Sequence, residues 1–254
     1  MKTIRRLLLA ALILVGLYLW AIRLMAPENT KPIFTDAEEK IIAYASANGL
    51  SAEDYPDSLV TLLEQNPETE DFVLSYPFWK EEAIDLSEYA NRETVPLFLQ
   101  WDKRWGYSRY GSDFLAVTGC GPTCLAMVGY HLTGDDWFTP INVARFAEEN
   151  GYYVPEQGSS WTLISEGAGK LGLEAIEIPM VKSRIIDNLE VGNPIILAMG
   201  PGDFTTEGHY IILTGVESGS FRVNDPNSRI RSEQLWTYET LEEQVRNLWV
   251  IRLP

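Results

Sequence analysis

The sequence predicts an α+β fold, with helices first and antiparallel strands later. Three observations carry this. Capped helical segments ending at glycines fill residues 35–192, four strand-like runs follow, and no internal repeat or low-complexity tract interrupts the order. The 254 residues leave room for one domain of ordinary size plus an N-terminal extension. An apolar share of 46% and a charged share of 22% describe a globular chain.

The first element is a targeting segment. Lys2, Arg5 and Arg6 precede an apolar run over 7–22, which Arg23 interrupts. No small-x-small cleavage site follows, so an uncleaved signal anchor over 1–26 is favoured over a cleaved signal peptide. The basic residues ahead of the run predict a cytoplasmic N-terminus, a membrane contact through this helix, and the remaining chain outside. The alternative is a secreted protein. With no cysteine near the segment, a lipoprotein is excluded. The first thirty residues carry +3, so the rest carries −19 of the total −16. A domain that acidic repels phosphate backbones, which argues against a nucleic-acid partner.

Residues 27–94 read as a small helical spacer. Thr35 and Glu38 form a capping box for a helix ending at Gly49, an amphipathic pattern covers 51–63, and a short third helix stops at Pro77. The stretch 78–94 is polar and irregular, a boundary to the main domain over 95–254. There a helix is expected over about 122–132. Thr139 and Pro140 open another that ends before Gly151, Ser159 or Ser160 caps a third ending at Gly172, and Ser183 opens a fourth ending at Gly192. Strands follow at 194–199, 209–216, 221–225 and 248–253.

The chemistry concentrates in "TGCGPTCLAMVGYHLTG", residues 118–134. Cys120 lies just before a helix, where the positive end of the dipole favours the reactive thiolate. Gly119 and Gly121 leave room beside it, although a lone cysteine at a tight helix entry can also be structural. Cys124, one turn on, shares a stripe with Val128 and His131 and reads as core. Two cysteines four apart are no disulfide framework. A cysteine nucleophile needs an imidazole, and the chain has only His131 and His209. His131 is eleven residues from Cys120, about 16 Å along a helix axis, and reads as a C-terminal residue favoured by the dipole. His209 is the partner that remains, opening a strand after the Gly-rich loop "MGPGDFTTEG". Sixteen residues later Asp225 ends the paired strand, placed either to orient the imidazole or simply to open an Asp-Pro turn. The spacing of the cysteines and histidines matches no familiar metal set. No cofactor is implied.

Taken in order, "VPLFLQWDKRWG", "GCGPTCLAMV", "GHYIILTGV" and "VNDPNSR" resemble the papain-like cysteine peptidases related to the double-glycine leader peptidases of bacteriocin exporters. The resemblance spans about residues 95–252. It implies a helical half carrying the cysteine at a helix N-terminus and an antiparallel sheet carrying His and Asp. It also implies Cys120 as nucleophile, His209 as base and Asp225 as orienting residue. Gln100 matches the glutamine of the oxyanion hole, although it lies twenty residues before the cysteine, with the backbone N–H of Cys120 as second donor. A peptide or protein substrate follows. Trp101, Trp105, Trp161 and Phe204 are candidates to wall its cleft, or else packing residues. No GxxxxGK[ST] run is present, so leader processing coupled to export is not expected. The same three residues also serve an amidase or acyltransferase on cell-wall peptides, and a non-catalytic surface binding domain is the remaining alternative.

One geometric expectation tests Asp225. Side chains alternate faces along a strand. A two- or four-residue loop centred on Ser218-Gly219 would set Asp225 opposite Ile212, on the face away from His209. A three-residue loop, Glu217-Ser218-Gly219, sets it opposite Ile211, on the same face, with Gly219 at positive φ. The three-residue loop is therefore predicted.

Overall fold

The computed structural model describes residues 34–81 and 83–254. The expected anchor over 1–26 lies outside them. Among the described residues no helix is long and apolar enough to cross a membrane.

The helical segment opens with α1, Asp36–Asn48, which carries the predicted Thr35/Glu38 capping box and ends at Gly49 with φ 71°. Helices α2, Asp57–Gln65, and α3, Glu70–Ser75, follow. Ile41, Leu59, Leu62, Leu63 and Phe72 form one apolar cluster with Tyr107, Phe114 and Ala116 of the main domain. Phe72 stacks on Tyr107 at 4.1 Å, and the Tyr107 hydroxyl donates to Phe72 O at 2.5 Å. Leu86, in the stretch expected as a boundary, is buried in the core of the main domain. The segment is thus packed onto the domain through shared apolar surface, which is why its narrow helices hold together at all.

Two short strands, β1 (Arg109–Tyr110) and β2 (Asp113–Phe114), lead into α4, Leu115–Thr118, and then α5, Cys120–Thr133. Gly121 to Tyr130 of α5 are all buried, so this helix is surrounded on every side. Packing that close requires missing side chains. A Cβ on Gly129 would lie 2.1 Å from the Phe138 ring, and one on Gly121 would lie 2.7 Å from Ser159 Oγ. Helix α6, Pro140–Glu149, starts on the predicted Thr139 cap.

The third expected helix opens at Ser160, where Leu163 N donates to Ser160 O, and stops before Gly172, whose φ is 80°; the Ser159 alternative is what the structure corrects. Gly158–Ser159 forms strand β4 against β3, Tyr153–Val154, and the helical turns come later, as a wide turn over Leu163–Gly167 and then α7, Ala168–Lys170. Ser159 is held by the Tyr110 hydroxyl at 2.7 Å and pressed against Gly121, so it cannot serve as a helix cap.

The main sheet has six antiparallel strands in the order β5-β10-β6-β7-β8-β9. They are β5 (Glu174–Glu177), β6 (Ile195–Met199), β7 (His209–Glu217), β8 (Ser220–Asn224), β9 (Leu235–Trp236) and β10 (Val245–Arg252). Central β6 is buried along its whole length, because both faces are covered. Ile196, Ala198, Tyr210 and Ile212 pack with α5, while Ile195, Leu197, Ile211 and Leu213 pack with α8, Lys182–Glu190.

The β7–β8 hairpin corrects one expectation and keeps its consequence. Glu217 pairs with Ser220, so the loop has two residues rather than three, and both Ser218 (φ 51°) and Gly219 (φ 82°) are left-handed. That is a primed turn, whose twist matches the strands. The register then shifts between Leu213 and Gly215, leaving Thr214 as the extra residue of a bulge. Beyond it Ile212 pairs with Asn224, so Asp225 comes opposite Ile211, on the face of His209. The parity change comes from the bulge instead of from the loop.

Candidate active site

Cys120 is the first residue of α5, so its backbone N–H belongs to the set that no intrahelical carbonyl accepts. Its sulfur is a free thiol, partly exposed. It shares a cleft of about 600 Å³ with Gln100, Phe204, His209, Asn227 and Arg231. Cys124, one turn deeper, is fully buried, and burial raises its thiol pKa well above the usual range. Position on one helix therefore separates the two thiols chemically.

His209 Nε2 donates to Asp225 Oδ1 at 2.7 Å. Nε2 is engaged by the carboxylate, which leaves Nδ1 as the ring nitrogen available to the cleft that His209 shares with Cys120. Burial alone would strip the proton from this ring. The charge and hydrogen bond of Asp225, together with Cys120, outweigh burial and push the pKa up to about 10. The raised pKa favours the imidazolium form of His209 at neutral pH, beside the N-terminal end of α5 where Cys120 sits.

Asp225 is fully buried, a position that disfavours its charge, yet His209 and Arg231 hold its pKa below the ordinary value. Oδ1 also accepts from Asn227 N at 2.8 Å, and Oδ2 accepts from Arg231 Nε at 2.5 Å. Every donor around the carboxylate points at it, which is what a buried charge requires. Arg231 was not among the sequence candidates. The available signal was a basic residue six positions after Asp225, just past the Asp-Pro turn.

Gln100 reaches the cleft despite its twenty-residue separation from Cys120. Its backbone N donates to Pro226 O at 2.7 Å and its Nε2 donates to Ala116 O at 2.7 Å, so it bridges the Asp225 loop and the approach to Cys120. Nε2 also reaches Val117 O at 3.5 Å, a longer contact, while Gln100 Oε1 is buried without a partner.

The aromatic candidates divide. Phe204 lines the cleft and packs on Trp236 with ring centres 4.4 Å apart. Trp101 lies against the helical segment and donates to Asn227 O at 3.1 Å. Trp105 is fully buried, and Trp161, half-exposed, meets Trp249 edge to face; neither borders the cleft. His131 sits in the last turn of α5 as expected, but burial lowers its pKa and Arg92 adds to this, so the dipole does not keep it charged. Among the described residues no group of three or more His, Cys, Asp or Glu side chains is arranged to hold a metal ion.

A search of curated proteins finds no match. Among solved structures, the peptidase domain of Streptococcus ComA, a bi-functional ABC transporter involved in a quorum-sensing pathway, is 20% identical with a TM-score of 0.46. The match covers 63% of this chain and 99% of that one. The Streptococcus mutans ComA peptidase domain in complex with a small-molecule inhibitor is 19% identical, TM-score 0.39, over 63% and 98% of the two chains. A putative C39-like peptidase from Bacillus anthracis is 15% identical, TM-score 0.36, over 67% and 98%. The model of the Peptidase_C39 like family matches residues 92–252, well over half of the sequence, and the chain belongs to that family.

Proposed function

We propose that this protein is a cysteine peptidase acting on peptide or protein substrates, with Cys120 as nucleophile, His209 as acid and base, and Asp225 as the orienting carboxylate. One observation carries the reading. A buried carboxylate holds a charged imidazole against a thiol at a helix N-terminus, and all of this opens on a cleft.

The thiolate of Cys120 attacks the carbonyl carbon of a bound amide. The oxyanion that forms takes the Cys120 N–H and Gln100 Nε2, which gives up its long contact with Val117 O to do so. His209 then gives its Nδ1 proton to the departing amine as the C–N bond breaks, leaving a thioester on Cys120. The now neutral imidazole takes a proton from water, whose oxygen attacks the thioester. Collapse of that second intermediate releases the acid and returns the thiolate–imidazolium pair. Throughout, Asp225 keeps Nδ1 toward the sulfur and compensates the ring charge.

We further propose that this chemistry takes place outside the cytoplasmic membrane, a reading supported by the basic residues ahead of the apolar run over 7–22. A reporter fused after Pro254 is expected to be active only outside; activity confined to the cytoplasm refutes the placement.

The test of function is cleavage profiling of the purified protein against a peptide library and bacterial cell-wall fragments, with Cys120→Ala as control. Hydrolysed peptides that vanish with the variant support a peptidase. Products confined to cell-wall amides or acyl transfer assign the same residues to an amidase or acyltransferase. Tight capture without turnover assigns a binding domain.

A further inference from the structure

The loop after Asp225 carries both the carboxylate that grips His209 and the guanidinium that grips the carboxylate. Part of its structure is internal. Asp225 N donates to Ser232 Oγ at 2.9 Å, and Arg231 N donates to Ser228 Oγ at 3.0 Å, starting the turn α9, Arg229–Ser232. Three donors at the start of that turn have no acceptor within it: the N–H groups of Arg229 and Ile230, and the hydroxyl of Ser228.

All three go to one side chain from the helical segment. Glu68 Oε2 accepts from Arg229 N at 2.8 Å and from Ile230 N at 3.2 Å, while Oε1 accepts from the Ser228 hydroxyl. Glu68 lies in the short turn Pro67–Thr69 between α2 and α3. Beside it, Asn66 Nδ2 donates to Asn227 O at 2.6 Å, and Asn66 Oδ1 accepts from Glu68 N at 3.1 Å, so the two side chains act as a unit. Neither residue lies within the family match over 92–252. Charge-assisted bonds of this kind are the strong ones, and here one carboxylate takes three.

We infer that Glu68, supported by Asn66, is a positioning residue for the reaction at Cys120. It acts through a continuous path: Glu68 fixes Ser228 and the turn behind it, the turn fixes Arg231, Arg231 fixes Asp225, and Asp225 holds the charge of His209. The helical segment over 34–78 is on this account part of the machinery and not a spacer. The inference rests on the peptidase reading of Cys120, His209 and Asp225.

The experiment uses the full chain and needs no substrate. The chain has only two histidines, so carbon-13 labelling of histidine resolves the His209 titration, and the rate of Cys120 alkylation by iodoacetamide across pH reports the same group from the sulfur side. Glu68→Ala is expected to lower the His209 midpoint by about one pH unit, because a loosened Asp225 loses part of an opposite-charge contact. The alkaline limb of the alkylation profile should move with it. Glu68→Gln should restore the wild-type midpoint, since its carbonyl can take the two N–H groups and its amide can donate to Ser228 Oγ. Ser228→Ala, which cuts the path at a smaller point, should move the midpoint the same way by less.

A folded Glu68→Ala protein with an unmoved midpoint overturns the inference. Should that variant fail to fold, Ser228→Ala decides, and an unmoved midpoint there overturns it equally. Asp225→Asn separates the two levels. If it lowers the midpoint while both Glu68→Ala and Ser228→Ala leave it alone, the peptidase reading stands and only the role of Glu68 falls. If Asp225→Asn also leaves the midpoint and the thiol reactivity unchanged, the reading of the site fails, and the inference with it.

Discussion

Replacing Asp225 by asparagine tests the electrostatics of the site most directly. The side chain keeps its size and loses its charge. In the wild type Oδ1 accepts from His209 Nε2 and Asn227 N, and Oδ2 accepts from Arg231 Nε. An amide has one acceptor oxygen, so its NH2 must face either the His209 donor or the Arg231 donor. Turned toward Arg231 it makes one donor–donor contact; turned toward His209 it makes two, with His209 Nε2 and Asn227 N. The surroundings of the wild-type ring push its pKa from an ordinary 6.5 up to about 10. At 1.36 kcal/mol per pH unit that difference favours the imidazolium by about 5 kcal/mol. With the carboxylate gone, burial opposes the charge and only Cys120 still favours it, so the midpoint should fall toward 6.5. At pH 7.5 the variant would hold a largely neutral ring, unable to protonate a leaving amine or to stabilise the thiolate. A loss of roughly 10²–10⁴-fold in kcat/KM is expected, the scale found when an imidazole loses its orienting carboxylate. Histidine carbon-13 titration and the pH profile of Cys120 alkylation measure both consequences. A wild-type midpoint near 6.5, or an Asp225→Asn midpoint equal to the wild type, would refute the argument.

Cys120 should react with iodoacetamide near neutral pH much faster than Cys124, and Cys120→Ala should abolish turnover; a faster Cys124 would reverse the assignment. Cys124→Ser should retain activity but lose about 1–3 kcal/mol in denaturant melts, because it buries a hydroxyl in apolar surroundings. The stability difference between wild type and His209→Ala should depend on pH with a definite sign. The folded pKa of His209 is raised, so its contribution is fully present below pH 6.5 and lost as pH rises through about 10. A difference that widens over that window contradicts the ion pair. Deleting Thr214 should remove the bulge while leaving Leu213 opposite Val223, Ile212 opposite Asn224 and Asp225 opposite Ile211, so a chain that still folds should keep activity; lost activity would show that the bulge does more than set the register of β7 and β8.

Cys120 and His209 were legible in the sequence because the options were few. With only two histidines, helix length alone separated His131 from Cys120. The capping boxes, the glycine stops and the strand order followed from local rules that need no partner, which is why α1, α6 and β7 begin where expected. Asp225 is legible from its place at the end of the strand paired with that of His209, whereas the parity argument that sets it on the right face names a three-residue loop where the structure uses a bulge. A bulge at Thr214 depends on how two strands twist against the rest of the sheet, and nothing in "ILTGVESG" announces it. The same limit hid Arg231, Asn66 and Glu68. Their roles arise from contacts across as many as 162 residues, where side-chain donors meet a loop that has no acceptors of its own. By itself the sequence singled out Cys120, His209 and Asp225 as candidates and determined the order of the elements that carry them. Only the tertiary structure decided which face each side chain occupies, how far the carboxylate outweighs burial at His209, and that the helical segment closes around the loop of Asp225. Those outcomes depend on packing and desolvation, which are properties of neighbours in space and not of neighbours along the chain.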